Sequence, residues 1–203
     1  MSRITTMEEL RSIYKMPTGR SVFKQIDSFE PQSRRYIELS PFLVMATSAP
    51  DGLGDATPRG EEPGFVHVLD DHRLAIPDRP GNNRLDSMTN ILANPTVSLI
   101  FMIPGVNETL RVNGTGEIRT DPDLLERFTV KGKPPITVIV VTAEEIFLHC
   151  AKALVRSRLW SEDAKATERP IPSMAEMIKA QSGRDVPLET EADMLKRYQK
   201  ILY

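Results

Sequence analysis

The amino-acid sequence predicts a mainly β protein of the α+β class, folded as a barrel or a sandwich. About seven apolar or β-branched runs have the length of short strands, and turn-forming residues separate them at intervals of roughly 8–12 positions. The predicted helices are short, and only one central helix lies among the first strands. There are therefore too few helices to cover both faces of a doubly wound parallel sheet.

Two helices precede the predicted strands. Thr6 with Glu9 three positions later forms a capping box, and the apolar residues that follow predict a short amphipathic helix ending near Pro17. A second helix is predicted over residues 31–39. We expect both helices to pack against the barrel or against a partner, without a catalytic role.

The strand-like runs share apolar or β-branched character and end at turn residues. We predict strands at 42–47, 55–57, 65–69, 73–76, 96–103, 110–118 and 136–142, the last resuming at 146–148. The central helix carries apolar residues at helical spacing and ends at Asn94-Pro95. Further helices are predicted at 121–128, 173–181 and 190–202.

The length of 203 residues suits one domain with a single core. Within this single domain, residues 1–203, we expect three parts. A helical N-terminal segment covers 1–40, the barrel core covers 41–150, and a basic helix with a helical C-terminal extension covers 151–203.

Charge and composition disfavour several classes of partner. The net charge is −2 and aromatic residues make up 6%, so neither a basic surface nor base-stacking positions predict nucleic-acid binding. No apolar run approaches the ~18 residues of a membrane span, and the N-terminus lacks the apolar run of a signal peptide. Cys150 is the single cysteine, which excludes an internal disulfide. We expect a cytoplasmic protein that binds neither nucleic acid nor membranes.

A polar loop before the central helix is the stretch that most strongly suggests a ligand. Residues 78–84, Asp-Arg-Pro-Gly-Asn-Asn-Arg, place two guanidinium groups and two amides at the helix start. Unpaired N–H groups and the helix dipole attract negative charge there, and arginine adds paired donors for phosphate oxygens. The loop therefore predicts an anion site. A simpler interpretation stays open, in which Asn83 caps the helix and the arginines are solvated.

This stretch, together with ATPRGEEPGFVHVLDD before it and LRVNGTGEI after it, resembles the flavin-binding half of the pyridoxamine 5'-phosphate oxidase-like family. The resemblance covers roughly residues 42–160 and implies a split β-barrel of the FMN-binding type. Where the family has a Ser-Arg-Lys-type loop for the FMN phosphate, this chain has Asn82, Asn83 and Arg84. The resemblance thus implies a cofactor-binding role for these residues and for their neighbours Pro77, Asp78 and Arg79.

Three further residues, in or next to predicted strands, enter the site through the same resemblance. The family places an arginine that reaches the FMN phosphate near Arg59, with Thr57 as an accompanying hydroxyl donor. Arg111 lies where the classical oxidases have a glutamine that contacts the flavin. An arginine between Leu110 and Val112 is equally explained by the outward face of a strand.

A basic segment after the last strand forms the third cluster. Lys152 and Arg156 are four residues apart and share one face of a predicted helix, with Trp160 expected one turn further along it. His149 falls near a family tryptophan. In the family, a tryptophan and an arginine from this part complete the FMN site across a dimer interface, which implies a symmetric homodimer here. A solvated helix face is the alternative interpretation.

The implied function is that of an FMN-dependent oxidoreductase acting on a small molecule, in which no side chain need be an essential acid or base. The C-terminal basic motif of the classical vitamin B6 oxidase is missing, so the substrate is open. The histidine spacing fits no zinc pattern, and little around Cys150 argues for a thiolate nucleophile. Two alternatives remain: a split barrel that uses deazaflavin or haem, and a non-enzymatic flavin-binding module.

Overall fold

The computed structural model describes residues 3–185, 187–200 and 202. Seven strands in this part of the chain form one antiparallel sheet in the order β2-β1-β5-β6-β7-β4-β3. The strands are β1 (Phe42–Ser48), β2 (Gly54–Gly60), β3 (His67–Val68), β4 (Arg73–Asp78), β5 (Thr96–Met102), β6 (Thr109–Arg119) and β7 (Thr137–His149). The predicted mainly β fold is confirmed.

The sheet curls until strands from opposite sides of it meet. β2 lies at one edge and β4 lies next to the other, yet Arg59 of β2 forms an ion pair with Asp78 at the end of β4. In the described part of the chain, no strand pairing closes this gap. The barrel is therefore split, and side chains bridge the opening.

Alternating burial along the strands builds the core. In β5, Val97, Leu99 and Phe101 are buried, while the residues between them are partly exposed. Each such buried side chain contributes roughly 1.5–3 kcal/mol by leaving water. Helices contribute Ile37 and Ile91 to the same core.

A register shift at Asn113 and Gly114 lets β7 continue where the sequence predicts a break after residue 142. A Cβ atom at Gly114 would lie 1.9 Å from the carbonyl oxygen of Thr142, so only glycine fits this close approach of the two strands. β7 therefore runs through the predicted interruption as one strand of 13 residues.

β4 also extends past its predicted end at residue 76, through Pro77 to Asp78. β3 pairs only with Leu74 and Ala75, so beyond these residues β4 has a neighbour on one side alone. A proline, which lacks the N–H donor, is tolerated at such an edge. β3 itself is shorter than the predicted 65–69, because the N–H of Leu69 bonds within the hairpin turn to Arg73.

Eight α-helices are present among the described residues. They are α1 (Met7–Ile13), α2 (Arg20–Phe23), α3 (Pro31–Leu39), α4 (Asp86–Ala93), α5 (Pro122–Glu126), α6 (Lys152–Ser157), α7 (Met174–Ser182) and α8 (Glu191–Gln199). The capping box at Thr6 is confirmed, and α2 is an addition to the prediction. None of the helices in the described ranges has both the length and the apolar character needed to cross a membrane.

The prediction that Trp160 continues the helix of Lys152 and Arg156 is wrong. α6 ends at Ser157, and Arg158 adopts the left-handed conformation with φ of 53°. This conformation turns the chain out of the helical path.

Candidate functional site

A cavity of about 450 Å³ lies where β2, the end of β4, the start of β7 and the first turn of α4 meet. Its volume is in the range of small-molecule sites. The wall brings together seven of the residues predicted to bind the cofactor: Thr57, Arg59, Asp78, Arg79, Asn82, Asn83 and Arg84. Pro77 lies outside this wall and lines a neighbouring cavity with Phe65 and Tyr198.

The first turn of α4 forms one side of the cavity. Buried Asn90 donates a 3.0 Å hydrogen bond to Thr47 of β1, and Ile91 packs into the core, so the helix is fixed on the sheet. Leu85 is the N-cap residue, with φ of 59°, and no side chain among the described residues caps the helix. The first-turn N–H groups therefore lack helical partners and are available to an anion.

The predicted helix cap at Asn83 is not formed. Asn83 lies two residues before the N-cap and has φ of 57°. Asn82 instead turns the loop, because its side-chain oxygen accepts a 3.0 Å hydrogen bond from the N–H of Arg84. The simpler interpretation of the loop as a capped helix with Asn83 as N-cap is therefore wrong.

Arg59 and Asp78 form the inner wall of the cavity. Their side chains are 20% and 11% exposed, and Nη1 of Arg59 donates to Asp78. Two buried polar atoms in the same wall, Nε of Arg59 and Oγ1 of Thr137, have no hydrogen-bond partner among the described residues. An unsatisfied buried donor costs on the order of 1–3 kcal/mol.

Arg79 is held in the protein interior. Its Nε and Nη2 donate to the two carboxylate oxygens of Glu61 at 3.0 and 3.1 Å, and Nη2 also donates to the carbonyl oxygen of Phe128 at 2.9 Å. The side chains of Arg79 and Glu61 are only 15% and 11% exposed. These hydrogen bonds join the loop to the residue that follows β2 and to the segment that follows α5. Arg79 therefore has a structural role.

Arg84 lies at the exposed rim. Its side chain is 73% exposed and its Nε donates to Asp86 at 2.8 Å. This hydrogen bond and the charge of Asp86 raise the pKa of the Arg84 guanidinium, which therefore stays charged. Exposed pairs of this kind are weak, so Arg84 can exchange Asp86 for a ligand oxygen.

The charges in the cavity are balanced. Arg59, Arg79 and Arg84 each have a carboxylate partner, and Asp55 accepts a 3.1 Å hydrogen bond from Ser87. The cavity therefore offers directed donors and one exchangeable cation, without a large positive field.

The remaining predicted residues lie at the other end of β7. Thr137, at the start of this strand, lines the cavity, whereas His149 ends it twelve residues later, a strand length of up to about 40 Å. His149 pairs with Thr109, and its Nδ1 is buried without a partner in the described ranges. Within one chain, the structure does not bring this end to the cavity.

Arg111 and the basic segment have partners of their own there. The guanidinium of Arg111 lies 5.0 Å from the ring centroid of Phe147, as a cation–π contact on the sheet surface. Arg156 Nε donates to the carbonyl oxygen of Lys152 at 3.1 Å, and Trp160 Nε1 donates to that of Val106 at 2.8 Å.

The outer face of β1 and β5 is apolar and partly exposed. Val44 and Ala46 of β1 and Ile100 and Met102 of β5 alternate with core residues and stay accessible. Phe42 at the start of β1 is 36% exposed. Contiguous apolar surface of this kind is typical of an interaction face.

Comparison with known proteins identifies the family. The family model for pyridoxamine 5'-phosphate oxidase matches residues 29–150, which is more than half of the chain. The chain belongs to the pyridoxamine 5'-phosphate oxidase family. No curated protein matches it.

Solved structures similar to this pyridoxamine 5'-phosphate oxidase family member come from several sources. HupZ of Group A Streptococcus is 20% identical, with 59% of this chain and 93% of HupZ covered and a TM-score of 0.48. A Clostridium acetobutylicum protein related to general stress protein 26 is 17% identical, with 58% and 85% covered and a TM-score of 0.43. An F420 reductase is 23% identical, with 58% and 98% covered and a TM-score of 0.41.

Four polar residues of the cavity wall were not predicted from the sequence. Asp55, Asp86, Ser87 and Thr137 line the cavity but belong to no recognised motif. Thr137 is found only through the pairing register, which sets it opposite Asp78. Because this register is not visible in the sequence, no sequence pattern could have identified Thr137.

Proposed function

We propose that this member of the pyridoxamine 5'-phosphate oxidase family is an FMN-dependent oxidoreductase acting on a small molecule. One observation carries the proposal: the uncapped N-terminus of α4, the exposed Arg84 and the partly buried Arg59 all line a single cavity of about 450 Å³. Helix N-termini and guanidinium groups are favourable partners for phosphate. Family membership makes a flavin phosphate the expected ligand.

The residues present fit a phosphorylated flavin. The first-turn N–H groups of α4 lack helical partners, and Arg84 has only a weak exposed pair with Asp86 to give up. When bound, the flavin would supply the redox chemistry. The chain's own residues would hold the phosphate, orient the ring system and limit access of water. In this proposal, no side chain acts as an essential acid or base.

We further propose a symmetric homodimer with FMN at the subunit interface. The cavity and the segment from His149 to Trp160 lie at opposite ends of β7, and the outer face of β1 and β5 is apolar and partly exposed. In the proposed dimer both subunits would use this same face, as in any isologous interface, and the basic segment of one subunit would complete the cavity of the other. Sedimentation analysis tests this, and a monomer at micromolar concentration would contradict it.

The decisive experiment is titration of the purified protein with FMN, in which quenching of flavin fluorescence reports binding. We expect about one FMN per chain, with Arg84→Ala weakening affinity at least tenfold through loss of a phosphate contact. Arg35→Ala is the matched control, since Arg35 is an exposed, ion-paired arginine outside the cavity wall. We expect it to bind FMN as the wild type does.

Several outcomes would redirect the proposal. A protein that ignores FMN contradicts it, and binding of deazaflavin F420 or haem instead would assign the split barrel to another cofactor. FMN binding without oxidation of NADH, NADPH or a chemical electron donor would indicate a non-enzymatic flavin-binding module. The cytoplasmic location stays a prediction, which fractionation of cells would test.

A further inference from the structure

A second cavity, of about 610 Å³, adjoins the one described above. The two cavities share wall residues, among them Arg59 and Arg79, whereas Arg84 and the first turn of α4 line the first cavity alone. The volume of the second cavity is in the range of small-molecule sites. The proposed phosphate contacts of Arg84 and α4 leave this second space without a function.

The second cavity lies between the barrel and the C-terminal extension. The barrel contributes flat apolar side chains to its wall, namely Phe65, Pro58, Pro77 and Pro80. The extension contributes Arg197 and Tyr198 of α8 and the following Leu202. The family model matches residues 29–150, so α8 belongs to a part of the chain beyond the matched region. The cavity therefore depends on the extension of this chain as well as on its barrel.

The apolar side chains of this wall suit a planar ring. Phe65 is only 8% exposed, so it is fixed in the core beneath the cavity. Of the nine residues of α8, Met194 and Tyr198 alone are half-buried, and the others are exposed. Aromatic rings bind well to pockets lined by apolar and aromatic side chains, where they stack on one another. The wall therefore favours an aromatic ligand.

Arg197 is the cation of this wall that can accept a new partner. Arg59 and Arg79 are 20% and 15% exposed and are paired with carboxylates of the barrel. Arg197 is 51% exposed, and its Nε and Nη2 donate to Glu189 at 2.9 and 2.8 Å. Glu189 lies outside the wall of this cavity, and a guanidinium has five N–H donors. Donors of Arg197 therefore remain for an anionic group of a ligand.

We propose that the second cavity binds a small aromatic carboxylic acid, whose ring stacks on Tyr198 and whose carboxylate accepts from Arg197. Phe65 and the prolines form the apolar side of the site. The inference goes beyond the binding of FMN and does not depend on it, because Tyr198 and Arg197 line the second cavity and not the first. A ligand bound here would lie next to the cofactor cavity.

The test uses 2-naphthoate, a fluorescent aromatic carboxylate, and the full chain without FMN. Fluorescence anisotropy should show about one binding site per chain. We expect Tyr198→Ala to weaken binding about tenfold through loss of the stacked ring, and Tyr198→Phe to stay within about threefold of the wild type. Leu195→Ala is the matched control, since Leu195 is an exposed residue of α8 outside the cavity wall, and it should leave the affinity within about twofold.

A second probe, 2-naphthalenemethanol, has the same rings without the carboxylate. We expect Arg197→Gln to weaken the binding of 2-naphthoate about tenfold and to change that of the alcohol less than about twofold, because only the first probe loses a charged hydrogen bond. Lys196→Gln removes the neighbouring charge, which lies outside the cavity wall, and should change neither affinity.

Several outcomes would overturn the proposal. A wild type that binds neither probe contradicts the site, and a loss in Tyr198→Phe or Leu195→Ala as large as that in Tyr198→Ala contradicts the ring contact. Equal losses of the two probes in Arg197→Gln contradict the assignment of the carboxylate. Arg84→Ala should bind 2-naphthoate as the wild type does, and a loss would place the probe in the first cavity.

The FMN titration gives a separate result. A chain that binds 2-naphthoate but not FMN defeats the proposed function and retains the second site. A chain that binds FMN but not 2-naphthoate defeats the second site alone.

Discussion

Two arginines of the same loop, Arg79 and Arg84, have opposite tasks. The side chain of Arg79 is 15% exposed and forms a bidentate ion pair with Glu61. The side chain of Arg84 is 73% exposed and forms a single hydrogen bond with Asp86. The loop sequence presents them as equivalent cations before a helix. Burial separates them, because an interior pair is costly to break and a rim pair is exchanged with little loss.

The difference teaches that an anion site needs a cation whose own partner is easily replaced. Glu61 and the carbonyl oxygen of Phe128 hold Arg79, which supports the wall. Arg84 has one exposed partner and stands next to the uncapped helix start. Of the two, Arg84 is therefore the one that we expect to meet a phosphate.

The largest expected effect is the loss of stability when the interior pair of Arg79 and Glu61 is broken. Glu61→Gln removes the negative charge and leaves Arg79 charged in a nearly buried position, so we expect the free energy of unfolding to fall by about 3 kcal/mol. Chemical denaturation measures this change.

Asp86→Asn is the matched control at the rim, since it removes the carboxylate partner of Arg84. We expect almost no change in unfolding, because exposed pairs contribute little. Equal losses of stability in the two variants would show that the interior and the rim do not differ, and the comparison would fail.

A second prediction concerns the pair that bridges the split in the barrel. Asp78→Asn keeps an oxygen that can accept from Arg59 but removes a charge, so we expect the ligand-free protein to lose about 2 kcal/mol of stability. A bound phosphate would restore a negative partner to Arg59. FMN should therefore raise the unfolding temperature more in Asp78→Asn than in the wild type. Calorimetry of both proteins with and without FMN measures this difference.

The wild type provides the reference for this comparison. An FMN-induced rise that is smaller in Asp78→Asn than in the wild type would show that the carboxylate assists ligand binding in some way beyond neutralising Arg59. That result would show that FMN binding depends on the carboxylate of Asp78 itself.

The smallest expected effect is a dependence of the protein's stability on pH, caused by a histidine near Arg79. His67 stacks on Phe128 with ring centroids 4.2 Å apart, and burial, followed by the charge of Arg127, lowers the pKa of His67. The unfolded chain then binds the proton more readily than the folded protein. The contribution of the neutral His67 to stability is therefore fully present above about pH 6.5, and it is lost as the pH falls from there through the lower pKa of the folded protein.

Unfolding temperatures between pH 8 and pH 5 measure this slope. His67→Gln should flatten part of it. An unchanged slope in His67→Gln would show that this imidazole is not the group responsible.

Much of the fold follows from local sequence patterns. The helix over 31–39, the capping box at Thr6 and the strands of alternating burial such as β5 depend on neighbours in the chain, which the sequence displays directly. The loop before α4 was identified for the same reason, since its arginines and amides lie next to one another.

The features that sequence analysis missed depend on distant partners. The continuity of β7 requires Gly114 to meet Thr142, and the place of Thr137 in the cavity wall follows from its pairing with Asp78. The position of Trp160 depends on the left-handed turn at Arg158, which is not a glycine and gives no warning. Neither pairing register nor such a turn can be deduced from hydrophobic periodicity.

The strand order also has a consequence for folding kinetics. β6 and β7 are close in the chain, whereas β4 reaches β7 only by pairing residues about 70 positions apart, such as Arg73 with Thr142. Local hairpins form quickly and long-range pairings form late. Because the cavity needs β2, β4 and β7 together, a nascent chain has no cavity until residue 137 and the strand after it have left the ribosome. The site is thus among the last parts of the molecule to be assembled.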